Sequence, residues 1–126
     1  MRTLYTLFAL LSLVLVGLVA TAAPPNPTLN VTCDLNPTSG NCAANTTPTF
    51  SGGGLHSHKS YAVEGTSLFN GSFIDVLSSV DKSGNYSELS SDGFLPADTW
   101  TFTLWELDHN GLPSNQLAGP VTLVFD

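Results

Sequence analysis

The sequence predicts an all-β protein, an antiparallel sandwich of about seven short strands in two sheets. Three observations carry this reading. After the N-terminal segment, β-branched and aromatic residues come in short runs, Gly and Asn-Gly punctuate those runs at regular spacing, and no stretch carries helix signals. The length of 126 residues allows one domain at most. A hydrophobic share of 42% is too high for a wholly disordered chain. Lys+Arg number 3 against Asp+Glu 10, which leaves nothing to neutralise a phosphate backbone and excludes nucleic-acid binding.

Residues 1–23 read as a signal peptide. Met1-Arg2-Thr3 gives a positive start, an apolar run rich in Leu and Val spans 4–20, and Ala20-Thr21-Ala22-Ala23 offers small residues for cleavage after Ala22 or Ala23. The run is long enough to anchor in a bilayer, but Pro24-Pro25-Asn26-Pro27 follows it in place of stop-transfer charges. The expected location is therefore secreted, extracellular, cell-surface or periplasmic, with no membrane span after cleavage. Losing Arg2 leaves two lysines, Lys59 and Lys82, against ten carboxylates, a net charge of −8. Such a surface resists self-association and anionic membranes.

Residues 24–32 form a Pro-rich arm and possible first strand, and 33–126 the sandwich. The first five strands are expected at 28–32, 46–51, 60–64, 72–80 and 86–90, with Phe50, Tyr61, Val63, Ile74, Val76, Tyr86 and Leu89 inward. Asp81-Lys82-Ser83-Gly84-Asn85 is the turn before the fifth. The clearest strand, 99–107, alternates so that Trp100, Phe102 and Leu104 face the core, and Thr99, Thr101, Thr103, Trp105 and Leu107 face away. The last, 120–126, turns Val121, Leu123 and Phe125 inward, and the polar stretch 108–115 joins the two as a hairpin. Cys33 and Cys42 are the only cysteines, in an oxidising compartment, with Pro37 and Gly40 able to turn the chain between them. A disulfide is expected.

Taken in order, Thr49-Phe50-Ser51-Gly52, Tyr61-Ala62-Val63, Val80-Asp81-Lys82-Ser83-Gly84-Asn85-Tyr86-Ser87, Leu95-Pro96-Ala97-Asp98-Thr99-Trp100-Thr101-Phe102-Thr103 and Asp108-His109-Asn110-Gly111 resemble the bacterial Ig-like and fibronectin-III-like modules of secreted and surface proteins. The resemblance covers 46–126. It implies an Ig-like antiparallel β-sandwich and a role in adhesion, glycan or protein binding, or spacing. It departs from the pattern at Asp98, where such modules carry Gly and where Asp is expected to adopt a positive φ.

Chemistry-bearing residues are few. His56-Ser57-His58 would present both imidazoles on one side of a strand, with Asp108 and His109 reaching them across the sandwich end, an arrangement suited to copper or zinc. Small exported copper carriers with an Ig-like fold use such ligands together with an N-terminal His, which a chain starting at Ala or Pro lacks. Asp108-His109-Asn110-Gly111 opens like a calcium loop without its later Glu, and reads as a β-turn. The pairs Glu106/Asp108 and Glu64/Asp75 read as solvated strand faces, and no nucleophile triad or phosphate loop is present. Trp105, on the face opposite Trp100, is the candidate binding aromatic, with Tyr61 and Phe69 sharing its patch. Four sequons, at Asn30, Asn45, Asn70 and Asn85, matter only in an organism that glycosylates exported proteins. The function expected is a non-enzymatic adhesion or structural module without a cofactor. Its partner is a glycan, a protein or a neighbouring subunit, with 24–32 as a strand-donating arm; the alternative is a small His-cluster metal binder.

Overall fold

The computed structural model describes residues 26–126, so the signal-peptide reading of 1–23 and the start of the arm lie outside the described residues. Seven strands and no helix are found in this range: β1 Asn30–Thr32, β2 Thr49–Gly52, β3 Tyr61–Ser67, β4 Ser72–Val76, β5 Tyr86–Leu89, β6 Asp98–Leu107 and β7 Pro113–Phe125. They form two antiparallel sheets, β1-β2-β5 and β4-β3-β6-β7. Accordingly, no helix among the described residues is long and apolar enough to cross a membrane.

The core follows the period of two. Phe50 of β2, Val63 of β3, and Phe102 and Leu104 of β6 are 0% exposed. The Phe50 and Phe102 rings meet between the sheets at 5.5 Å. Trp100 is buried and its indole N–H donates to the Pro96 carbonyl at 3.1 Å, so the largest aromatic of the core leaves no polar atom unpaired. Tyr86 is buried too, and its hydroxyl donates to the Thr28 carbonyl at 2.7 Å. Burial pushes that phenol well above its ordinary pKa.

Three inward assignments made from alternation are corrected. Ile74 and Val76 are 45% and 54% exposed, while Asp75 between them is buried. The register pairs Val63 with Asp75 and Gly65 with Phe73, so the odd positions of β4 share the inner face of β3. Gly65 decides the phase: a Cβ there would collide with the Phe73 ring, which fills that space and packs against Trp100 at 5.7 Å. The Asp75 carboxylate then points inward, where it accepts from the Ser91 N–H and hydroxyl, and is not part of a solvated carboxylate pair. Leu89 is 65% exposed because Tyr86, three positions earlier, points in, and residues three apart cannot share a strand face. Glu88 takes the inward phase opposite Phe50, at the sheet edge, and its carboxylate accepts from the Ser78 N–H and hydroxyl.

β7 starts at Pro113, seven residues before the expected strand, which shortens the hairpin loop to 108–112. Gly119, at φ +93°, lets the strand bend; a Cβ there would lie 2.7 Å from the Phe102 carbonyl oxygen. Register shifts along the β6–β7 pairing fall on β7, so β6 keeps its alternation, and Leu107, in the outward phase of Trp105, is nonetheless covered to 8% exposure.

The Cys33–Cys42 disulfide is present, with Cα atoms 5.6 Å apart. Although local in sequence, it joins the two sheets. Cys33 follows β1, whereas the Cys42 N–H donates to the Val124 carbonyl at 3.0 Å and the Asp126 N–H donates to Cys42 at 2.9 Å. Residues 28–32 are committed to their own domain. β1 pairs with β2, the Thr28 N–H donates to Gly53 at 3.0 Å, and Leu29 is buried. Within the single chain, 30–32 thus supplies the possible first strand expected there.

Candidate functional site

Antiparallel pairing sorts the loops into two ends. One end carries the β2–β3 loop, the β4–β5 turn and the β6–β7 turn; the other carries the Cys33–Cys42 loop, the β3–β4 turn and the β5–β6 loop. Lys59 and Lys82, the only lysines, both lie at the first end. The second end holds Asp34, Asp92, Asp98 and Asp126, with no Lys, Arg or His among its described residues.

That acidic end is also apolar. Leu68 and Phe69, at the tip of the β3–β4 turn, are 70% and 88% exposed, and Phe94 of the β5–β6 loop is 75% exposed. The turn that carries Leu68 and Phe69 is held from below. Asp98 Oδ2 accepts from the Phe69 N–H at 2.9 Å, the Asn70 N–H at 3.1 Å and the Asn70 side-chain amide at 2.7 Å, while Oδ1 accepts from the Thr99 N–H. The Ser67 hydroxyl accepts from the Asn70 N–H at 2.7 Å, and the Ser67 N–H donates to Gly71, whose φ of +82° closes the turn. Phe94 precedes Leu95, which is 0% exposed and pinned by backbone hydrogen bonds to Thr46 and Asn45.

Asp98 therefore does not replace a turn glycine. It lies in β6 without a positive φ and serves as a carboxylate clamp for the neighbouring turn. Partial burial raises its pKa, but the hydrogen bonds from Phe69, Asn70, Thr99 and Ser67 outweigh this and hold it below the usual carboxylate value. The Ser39 hydroxyl and the Asn41 amide, aided by Asn36, likewise lower Asp126 against the opposing effect of burial. For a depressed carboxylate the stabilising contribution is full above the unfolded pKa and is lost as pH falls through the folded one. The Asp98 carboxyl carbon is thus expected to titrate by NMR below the ordinary Asp range, with the Asn70 side-chain amide shifting in the same step. Titration in the ordinary range would contradict the clamp.

The sequence-derived binding residues separate. Tyr61 is 2% exposed and belongs to the core; its hydroxyl accepts from the His56 N–H at 2.9 Å. It therefore shares no surface patch with Trp105 or Phe69. Trp105 lies on the outer face of the four-stranded sheet, partly buried, with Ala62 and Gln116 as direct cross-strand partners. Ala62, flanked there by Trp105 and Val76, is 0% exposed, so these neighbours roof it. The Trp105 indole N–H is buried without a hydrogen-bond partner among the described residues. Phe69 alone of the three is freely presented, at an end of the sandwich and not on the Trp105 face. Leu68 and Phe94 were missed from sequence. Their signal was a large apolar residue beside a turn dipeptide, Asn70-Gly71 and Asp92-Gly93, outside any alternating run.

At the opposite end, the His56 and His58 rings stand 5.6 Å apart. Asp108 is occupied in its own turn, where Oδ1 accepts from the Asn110 and Leu112 N–H groups. No group of three or more His, Cys, Asp or Glu placed to hold a metal ion occurs among the described residues, so His56, His58, Asp108 and His109 are not gathered into one such group. A groove of about 330 Å³ opens beside His56, bounded by Pro27, Lys59, Tyr61, Glu106 and Asn115. Lys59 crosses it to Glu106 at 3.0 Å, a hydrogen-bonded ion pair that raises the lysine pKa. Comparison with protein-family models, curated proteins and solved structures finds no match to this chain.

Proposed function

We propose that the protein is a non-enzymatic recognition module of the secreted or cell-surface kind, which seats a protein partner on the apolar end built around Phe69. One observation carries this reading: a carboxylate clamp holds two large, solvent-exposed apolar residues in a fixed turn. Holding such residues still before contact removes part of the ordering cost of binding, as hot-spot residues require. Leu68 beside Phe69 favours a protein pocket over a sugar ring, which stacks on a flat aromatic face and gains little from a branched aliphatic chain. The surrounding aspartates favour a partner whose pocket is rimmed by Lys or Arg. The order of β1-β2-β5 facing β4-β3-β6-β7 supports the Ig-like or fibronectin-III-like reading of the scaffold.

The test compares immobilised parent protein with Phe69→Ser and Asp98→Ala variants of unchanged circular dichroism, each incubated with the surface proteins of its own cells. The expected result is a protein retained by the parent, released by added salt, and bound at least about tenfold more weakly by Phe69→Ser. Asp98→Ala keeps the aromatic but frees the turn, and is expected to weaken the same binding. Retention indifferent to both changes would remove Phe69 and its clamp from the binding surface.

A further inference from the structure

We infer that His56 and His58 form a two-imidazole chelate for a divalent transition-metal ion, with Cu²⁺ bound most tightly and Zn²⁺ less so. This site lies at the end opposite Phe69, and its failure would leave the proposed function untouched.

The geometry of the pair carries the inference. With metal–nitrogen bonds of about 2.0 Å, two imidazoles on one ion stand about 5 Å apart, centroid to centroid, when the ion is tetrahedral and about 4.5 Å apart when they are cis on a square-planar one. The observed 5.6 Å, with the rings tilted by 47°, puts the two imidazoles close to that spacing. Both residues are exposed, so an ion reaches them without opening the fold.

The turn that presents them is already tied down. Leu55, just before His56, is buried, and its N–H donates to the Gly84 carbonyl. The His56 N–H donates to the Tyr61 hydroxyl, and the Lys59 N–H to the His56 carbonyl at 3.2 Å, which closes the turn containing both histidines. Lys59 then fastens the far side of the turn to Glu106 of β6 at 3.0 Å. These ties use backbone atoms of His56 and the side chain of Lys59, so the turn is held in place without the His56 imidazole. Chelation therefore costs little reorganisation of the chain.

Imidazole nitrogen suits copper, zinc and nickel, and among divalent ions affinity peaks at copper. With two protein ligands, the other coordination positions are left to water or to a donor group of a molecule resting in the adjoining groove.

The experiment titrates tag-free protein with Cu²⁺ and with Zn²⁺ by calorimetry, alongside His56→Ala, His58→Ala, the double variant and His109→Ala. The expected outcome is one equivalent of metal, bound at least tenfold more weakly by each single variant at 56 or 58, with His109→Ala unchanged. Substoichiometric Cu²⁺ should broaden the ring NMR signals of His56 and His58 before those of His109. Undiminished binding by the double variant, or equal broadening of all three rings, would overturn the inference.

Discussion

Replacing Phe102 by Ala is expected to lower the unfolding free energy by about 3–5 kcal/mol. The ring is 0% exposed, meets Phe50 across the sandwich at 5.5 Å, and belongs to β6, which pairs with both β3 and β7. Its direct cross-strand partners are Gly65 and Val121. Neither can close the gap, because Gly65 has no side chain and Val121 is held by its own pairing. The cavity would therefore persist, which places this site toward the costly end of large-to-small changes. A domain of this size holds a total of about 5–15 kcal/mol. Thermal unfolding followed by circular dichroism should show the midpoint falling by tens of degrees, at about 4–8 °C per kcal/mol. A fall of only a few degrees would mean that the two sheets do not depend on this contact.

The second large effect is expected from Cys33→Ser combined with Cys42→Ser. The bond closes a loop with a sequence separation of 9, and the chain-entropy relation assigns such a loop about 3 kcal/mol. Its position adds a consequence that loop length does not contain. Cys42 makes a parallel bridge to Phe125, and the residues around it cover the outer edge of β7 through hydrogen bonds to Val124 and Asp126. Without the bond, that cover is held by hydrogen bonds alone. Denaturant unfolding of the double variant should show a lower midpoint, and amide exchange should quicken first at Cys42, Ala44 and Asp126. Reduction of the parent protein should reproduce both results. If neither change lowered the midpoint, the staple between the sheets would be dispensable.

Much of this architecture was legible in the residues, because a half-buried strand writes its period directly into the chain. Trp100, Phe102 and Leu104 faced the core as alternation required, and the turn at Asp81 formed with Asp81 Oδ1 accepting from the Ser83 and Asn85 N–H groups. The cysteine pair closed in the expected way. Alternation misled where apolar residues occupied both phases of a strand. In β4, Phe73 competed with Ile74 and Val76 for the inward direction, and each phase looked acceptable by hydrophobicity.

By itself, then, the sequence determined the strand-rich class, the two-sheet sandwich, the main core face of β6, the disulfide and the acidic surface, since each depends on local pattern, composition or near neighbours along the chain. Only the tertiary structure decided which way β4 faces, that Asp75 is buried against Ser91, that Asp98 clamps the Phe69 turn, and that Phe69 is presented away from the Trp105 face. Those outcomes rest on pairs far apart in sequence: Gly65 leaves room for Phe73 across a register, and Asp98 meets a turn that precedes it by almost thirty residues. A register shift of one residue reverses every side chain of a strand, so the facing of these groups is settled only when the sheets assemble.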